Sequence, residues 1–202
     1  MNHFQRIFES VRQSVIGGGI LTGAEIDRQV RLGRITISRY DRQNLNPNSY
    51  NISIGSTVML YSNVHVIDLR QSAEELKTEI HKLKLDEGGL LLRPGNLYLV
   101  PTREIIGSDF YEPIITGRSS IGRLGISVHQ EAGFGDIGFK GCMTLQIRCT
   151  YPTAIYPHLR IGQVYFLSPH GAIRSLYNGH YQHSVGPVGS KWVGEDDEDA
   201  DT

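Results

Sequence analysis

The chain has 202 residues, 39% of them hydrophobic and 20% charged, and a formal net charge of -1. That length and composition can bury one substantial core in a single main domain, and the near-neutral charge supplies no global basic field for nucleic acid. No apolar run reaches membrane-spanning length and the N-terminus lacks a signal-peptide core, so the expectation is a cytoplasmic protein with neither nucleic acid nor membrane as partner.

Residues 2–16 set Phe4, Ile7, Phe8, Val11 and Val15 at helical spacing, and Gly17-Gly18-Gly19 ends the pattern. The spacing predicts an N-terminal helical extension over residues 1–19. A second helix is signalled by Thr22 and Glu25, a Thr-x-x-Glu capping pattern ahead of Ile26, Val30 and Leu32, with Gly33 ending it. Arg34–Ser38 alternates polar and apolar residues and reads as a strand. Tyr50, Ile52 and Ile54 fall on one face of the next strand, and Val58–Tyr61 forms another. Leu76, Ile80 and Leu83 stand at helical spacing, which predicts a short helix over 72–84. After Gly88-Gly89 the strand and turn signals return: Leu90–Leu92, a Pro94-Gly95 turn, then Leu97–Pro101.

From Ile105 to Phe166 short apolar runs recur between Gly, Pro and Asp turns, the pattern of a β-sandwich or barrel. Cys142 and Cys149 lie an odd number of residues apart in this strand-rich segment and should point to opposite faces, which disfavours a disulfide or zinc pair and favours packing. His158, His170 and His183 show no metal-ligand spacing. His129 reads as a packed or interface histidine. Beyond Gly186 the pattern lapses. Trp192, the sole tryptophan, shields an edge or closes over a neighbour, and the run from Glu195 to Asp201 makes residues 193–202 a disordered acidic tail after a main domain of 20–192.

The chemistry concentrates between Thr116 and Ile147. Arg118, Ser119, Ser120 and Arg123 bring forked guanidinium donors, hydroxyls and glycine-opened amides together, as an anionic phosphate chain requires. As a bare spacing, GRSS is equally an ordinary turn between strands. The surrounding motifs decide between them. Gly117-Arg118-Ser119-Ser120 with Arg123 resembles the phosphate loop of the dCTP deaminase and trimeric dUTPase family. Ala132-Gly133-Phe134 with Asp136-x-Gly138-Phe139-x-Gly141 resembles that family's nucleoside turn. Arg160-Ile161-Gly162-Gln163, Asn46-Pro47-Asn48-Ser49-Tyr50-Asn51 and the closing Tyr177–Gln182 are similar to further segments of the family, closest to the bacterial dCTP deaminases.

The resemblance implies a mostly β fold, a distorted β-barrel of the β-clip, dUTPase-like kind with a few short helices, assembled as a homotrimer with sites between subunits. It implies a deoxypyrimidine nucleoside triphosphate as substrate, and zinc-independent conversion of dCTP and water to dUTP and ammonia. Mg²⁺ would arrive on the triphosphate without a direct protein ligand. The chain agrees about zinc, having no His-x-Glu followed by Pro-Cys-x-x-Cys. Carried over, Arg118, Ser119, Ser120 and Arg123 hold phosphates and the reacting water, and Ala132, Gly133, Phe134 and Asp136 frame the sugar and base. Thr144, Leu145 and Gln146 face the pyrimidine edge, and Tyr177, His180, Gln182 and Ser184 close the tail over the substrate.

Two positions depart from the family. Its strand glutamate, the general base that activates water, falls on Gln146, and a neutral amide cannot take a proton from water. Losing a general base costs on the order of 10²–10⁴-fold in rate. The family's lysine before Tyr-Gln falls on His180, a weaker phosphate contact when neutral. Three readings follow: a dCTP deaminase disarmed at Gln146 or using another base, with Glu131 the nearest carboxylate; a dNTP pyrophosphohydrolase in which Asp136 orients water at the α-phosphate; or a non-catalytic nucleotide-binding protein.

Overall fold

The structure is a computed structural model that describes residues 19–62, 66–74 and 80–193. The sequence-predicted helix over 2–16, Leu76 of the 72–84 helix and the acidic run from Glu195 lie outside these residues. Of the Thr22–Glu25 capping pattern the hydroxyl half is used: Thr22 is extended and its hydroxyl accepts the Glu25 N–H at 3.3 Å at the start of α1 (Gly23–Arg31), while the Glu25 carboxylate accepts from Arg28 and Gln29. Gly33 at φ 69° turns the chain out of the helix, with its N–H on the Val30 carbonyl at 3.0 Å. Ile26 is fully buried beneath this helix. Asp27 ties α1 to the following turn by accepting from Arg31, Arg42 and Tyr40. Arg42, then burial in opposition, then Tyr40 set its proton affinity, and the carboxyl is held below its ordinary range.

Three open sheets enclose the core. The first orders β1 (Gly19–Ile20), β12 (Arg160–Ser168) and β3 (Tyr50–Ser53), with β8 (Glu112–Gly117) also on β12. The second orders β5 (Ile80–Lys84), β4 (Thr57–Tyr61), β7 (Tyr98–Ser108), β10 (Lys140–Cys149) and β9 (Ile126–Ser127), with β2 (Ile35–Ile37) on β7. The third pairs β6 (Leu90–Leu92) with β11 (Thr153–Ile155). Pairing is antiparallel throughout these sheets. Tyr50, Ile52 and Ile54 are all fully buried, as their alternation predicts. They join Val100, Ile106, Leu145, Ile147, Val164 and Phe166 in one apolar cluster between the sheets. The mostly β class is therefore the one that the sequence indicates.

Residues 80–84 correct one sequence expectation. They form β5, paired with β4 from Thr57↔Lys84 to Tyr61↔Ile80, where the spacing predicts a helix. Leu83 is exposed, so its spacing from Ile80 does not mark a core face. Pairing with an available edge outweighs a three-residue apolar pattern too short to specify a helix.

Strands β7 and β10 carry the longest pairing, and its register sets the site. Leu99 lies opposite Gln146 and Pro101 opposite Thr144, with a bulge between Cys142 and Thr144. Thr102 splints that bulge. Its hydroxyl accepts the Met143 N–H at 2.9 Å and donates to the Glu104 carbonyl at 2.7 Å. Leu145, Ile147 and Cys149 point into the core, whereas Cys142, Thr144 and Gln146 line the opposite, outer face. The two cysteines are thus on different faces, both buried and free.

Candidate active site

On the outer face of β10 and β7 lies a cavity of about 520 Å³. Its floor is Cys142, Met143, Thr144, Gln146, Leu97 and Leu99, its near wall is His129 and residues 132–136, and its far end is Tyr61, Ile67, Leu69 and Trp192. The volume and mostly apolar lining with a few polar groups are those of a small-molecule site.

The near wall hangs on β8. Ile115 donates its N–H to the Gly133 carbonyl at 2.9 Å and Gly135 donates to the Pro113 carbonyl at 2.8 Å. Gly135 is required by close approach, because a Cβ there would meet Met143 Cε at 2.2 Å. Gly138, at φ 101°, lets the chain pass against Leu176 and Tyr177. Ala132 sits at φ 51°, and His129 Nε2 lies 3.1 Å from its carbonyl. A carbonyl only accepts, so Nε2 carries the proton and His129 pins the turn. Asp136 is exposed at the cavity wall. The proton affinity of the nearby Glu112 is raised, first by burial and then by the charge of Asp136.

The C-terminal segment forms the roof. Gln182 accepts from Lys140 N–H at 2.8 Å and donates to the carbonyls of Gly138 at 2.8 Å and Tyr177 at 3.0 Å. Ser184 exchanges backbone and hydroxyl bonds with Cys142, and Val188 N–H reaches the Thr144 hydroxyl at 3.1 Å. Tyr177 packs edge-on to Phe139 at 6.0 Å. Trp192 closes the far end, its indole N–H on the Leu69 carbonyl at 2.8 Å and its own carbonyl accepting from Ala73.

Of the residues singled out from sequence, the cavity gathers Ala132, Gly133, Phe134, Asp136, Thr144, Gln146, Tyr177 and Ser184. Others lie elsewhere. The Leu145 side chain is fully buried in the core. The polar atoms of Gln182 are all engaged by backbone, and its role is to fasten the roof. His180 is exposed. Arg118, Ser119, Ser120 and Arg123 are not on the cavity wall. Ser119–Gly122 forms a four-residue helix, α2, at the end of β8, with both serines and Arg123 exposed and Arg118 bonded to the Arg160 carbonyl at 2.9 Å. Sequence reasoning missed Leu97, Leu99, Tyr61 and the 67–71 loop, and left open which contacts His129 and Trp192 make. The period-two pairing of β7 with β10 carries a signal for Leu99 alone.

An antiparallel β fold whose own tail roofs a nucleoside-sized cavity defines a small-molecule enzyme or binding protein. Residues 20–168 match a family model described as dCTP deaminase-like, and the chain belongs to that family. It is 41% identical over 167 residues to a "dCTP deaminase, dUMP-forming" of Clostridium beijerinckii, covering 83% of this chain and 92% of the relative. A protein of the same name from Leptospira biflexa is 44% identical over 168 residues, with the same coverage. Among solved structures, the 2'-deoxycytidine 5'-triphosphate deaminase of Agrobacterium tumefaciens shares the fold, with a TM-score of 0.60 at 23% identity over 76% of this chain. The match spans 49% of that longer chain.

Proposed function

We propose that this chain is a dCTP deaminase-type enzyme of deoxypyrimidine nucleotide metabolism in which the deaminating step is disarmed and the pyrophosphate-releasing step is retained. The observation that carries the reading is the lining of one cavity, with Gln146 on its floor and Asp136 exposed at its wall; the resemblance puts the family's strand base at position 146. Curated relatives at 41% and 44% identity are named as forming dUMP from dCTP, which entails loss of both ammonia and pyrophosphate. Only the first loss needs a base at the ring. Glu131 is no substitute, since its side chain is exposed and is not on the cavity wall.

In this reading the base lies over Thr144 and Gln146, the sugar rests against the Ala132–Gly135 turn, and Tyr177 and Ser184 hold the roof. The triphosphate extends toward Asp136, which orients a water for attack at the α-phosphate: triphosphate and water give monophosphate and pyrophosphate. Mg²⁺ would arrive on the triphosphate, and the exposed Asp136 carboxylate on the wall offers hard oxygen beside it, whereas both Asp68 oxygens are engaged by Arg70. When bound it would neutralise phosphate charge. Arg118, Ser119, Ser120 and Arg123 lie outside this chain's own cavity, which supports a homotrimer in which a neighbour's phosphate loop completes each site.

Chromatography of products from dUTP and dCTP with Mg²⁺ tests the reading. The expected result is dUMP and pyrophosphate from dUTP, lost on Asp136→Asn while nucleotide binding persists. Ammonia release from dCTP at an ordinary enzymatic rate by the unaltered chain would refute the disarmed step.

A further inference from the structure

We propose that Gln146 selects the ring: its amide is held with NH₂ toward the cavity, so the site takes a pyrimidine with oxygen at C4 and discriminates against the 4-amino ring. This rests on the reading that the cavity receives the base, with its C4 edge toward β10.

Gln146 Oε1 accepts the Glu131 backbone N–H at 3.2 Å. An amide has one oxygen and one NH₂, and turning it over would aim that NH₂ at the Glu131 N–H, donor against donor. The backbone therefore dictates which end of the amide remains. The donor is fixed in place, because Glu131 belongs to the short loop closed by the His129–Ala132 hydrogen bond. Among the described residues Nε2 has no hydrogen-bond partner. Its neighbours on the floor cannot supply one readily: Leu99 opposite is apolar, and the Thr144 oxygen is already approached by Val188 N–H.

A 4-oxo ring presents an acceptor at this edge, whereas cytosine presents an amino donor. The free NH₂ of Gln146 bonds the first and opposes the second. A glutamate at 146 would accept the same Glu131 N–H with one oxygen and turn another acceptor toward the ring. One substitution thus inverts the ring-facing atom from acceptor to donor. Mismatched donors in a half-buried site lose their water without gaining a partner, and such mismatches dominate discrimination.

Calorimetric titration of the full chain with α,β-imido dUTP and α,β-imido dCTP, each with Mg²⁺, tests this without turnover. The unaltered chain should prefer the dUTP analogue by on the order of 10–100-fold. Gln146→Glu should reverse the order, and Gln146→Leu, similar in size but without a donor, should bind both about equally. Equal binding of the analogues by the unaltered chain, or preference for the dCTP analogue, overturns the selector while the nucleotide site stands. Failure of the unaltered chain to bind either analogue overturns both.

Discussion

Ala132 holds a backbone angle that a residue with a Cβ adopts at a cost on the order of 1–3 kcal/mol, and His129 is the side chain that pins it. With Nε2 donating to the Ala132 carbonyl, Nδ1 is a buried acceptor without a partner among the described residues. His129→Phe keeps the bulk and removes the bond; we expect thermal unfolding to report a loss of about 1 kcal/mol and nucleotide affinity to fall with it. A second residue-scale prediction concerns Glu104, buried on β7 with Oε2 on the Ser53 N–H at 3.0 Å. Burial, opposed by that bond, raises its pKa above 4.5. The folded state therefore favours the protonated form. Its contribution to stability is fully present below the unfolded value and is lost as pH rises through the raised folded value. Urea titrations should show Glu104→Gln gaining on the unaltered chain as pH rises through that window and holding level above it. The chemical meaning of Gln146 is legible in the sequence only through the resemblance, which sets it where the family's strand glutamate falls. Its bond to Glu131 is not, since it depends on how the intervening turn folds back.

At the scale of elements, the roof is the part that sequence rendered least well. Tyr177–Gln182 was legible as a closing segment, but Gln182 works as a three-bond fastener between that segment and residues 138–140, not as a group free for ligand. Gln182→Leu should loosen the roof. Hydrogen exchange is expected to speed up across 177–192, with nucleotide KM raised and the core strands unchanged; unchanged exchange would contradict this role. From sequence Trp192 either shields an edge or closes over a neighbour, and its N–H to the Leu69 carbonyl makes it the clasp of the far end. No local pattern announces that bond, because it spans most of the chain. The β5 segment failed for the complementary reason: an apolar i, i+3 spacing is compatible with a helix, and only the presence of β4 beside it decides for a strand.

At the scale of the whole molecule, one chain carries residues 132–136 and the outer face of β10 at one cavity and the Arg118–Arg123 segment outside it. The ordered motifs made the family and the mostly β class legible, yet a linear sequence does not say which motifs of one chain meet. If trimers complete each site with a neighbour's loop, Arg123→Ala and Asp136→Asn proteins should each be inactive alone and recover pyrophosphate release when co-refolded; no recovery would place the whole site within one chain. The measurement that bears most directly on the account is ammonia release from dCTP by Gln146→Glu beside the unaltered chain under single-turnover conditions. The account predicts ammonia from the variant at a rate on the order of 10²-fold or more above the unaltered chain. Equal rates from the two proteins would contradict it, by showing that the residue at 146 does not govern the deaminating step.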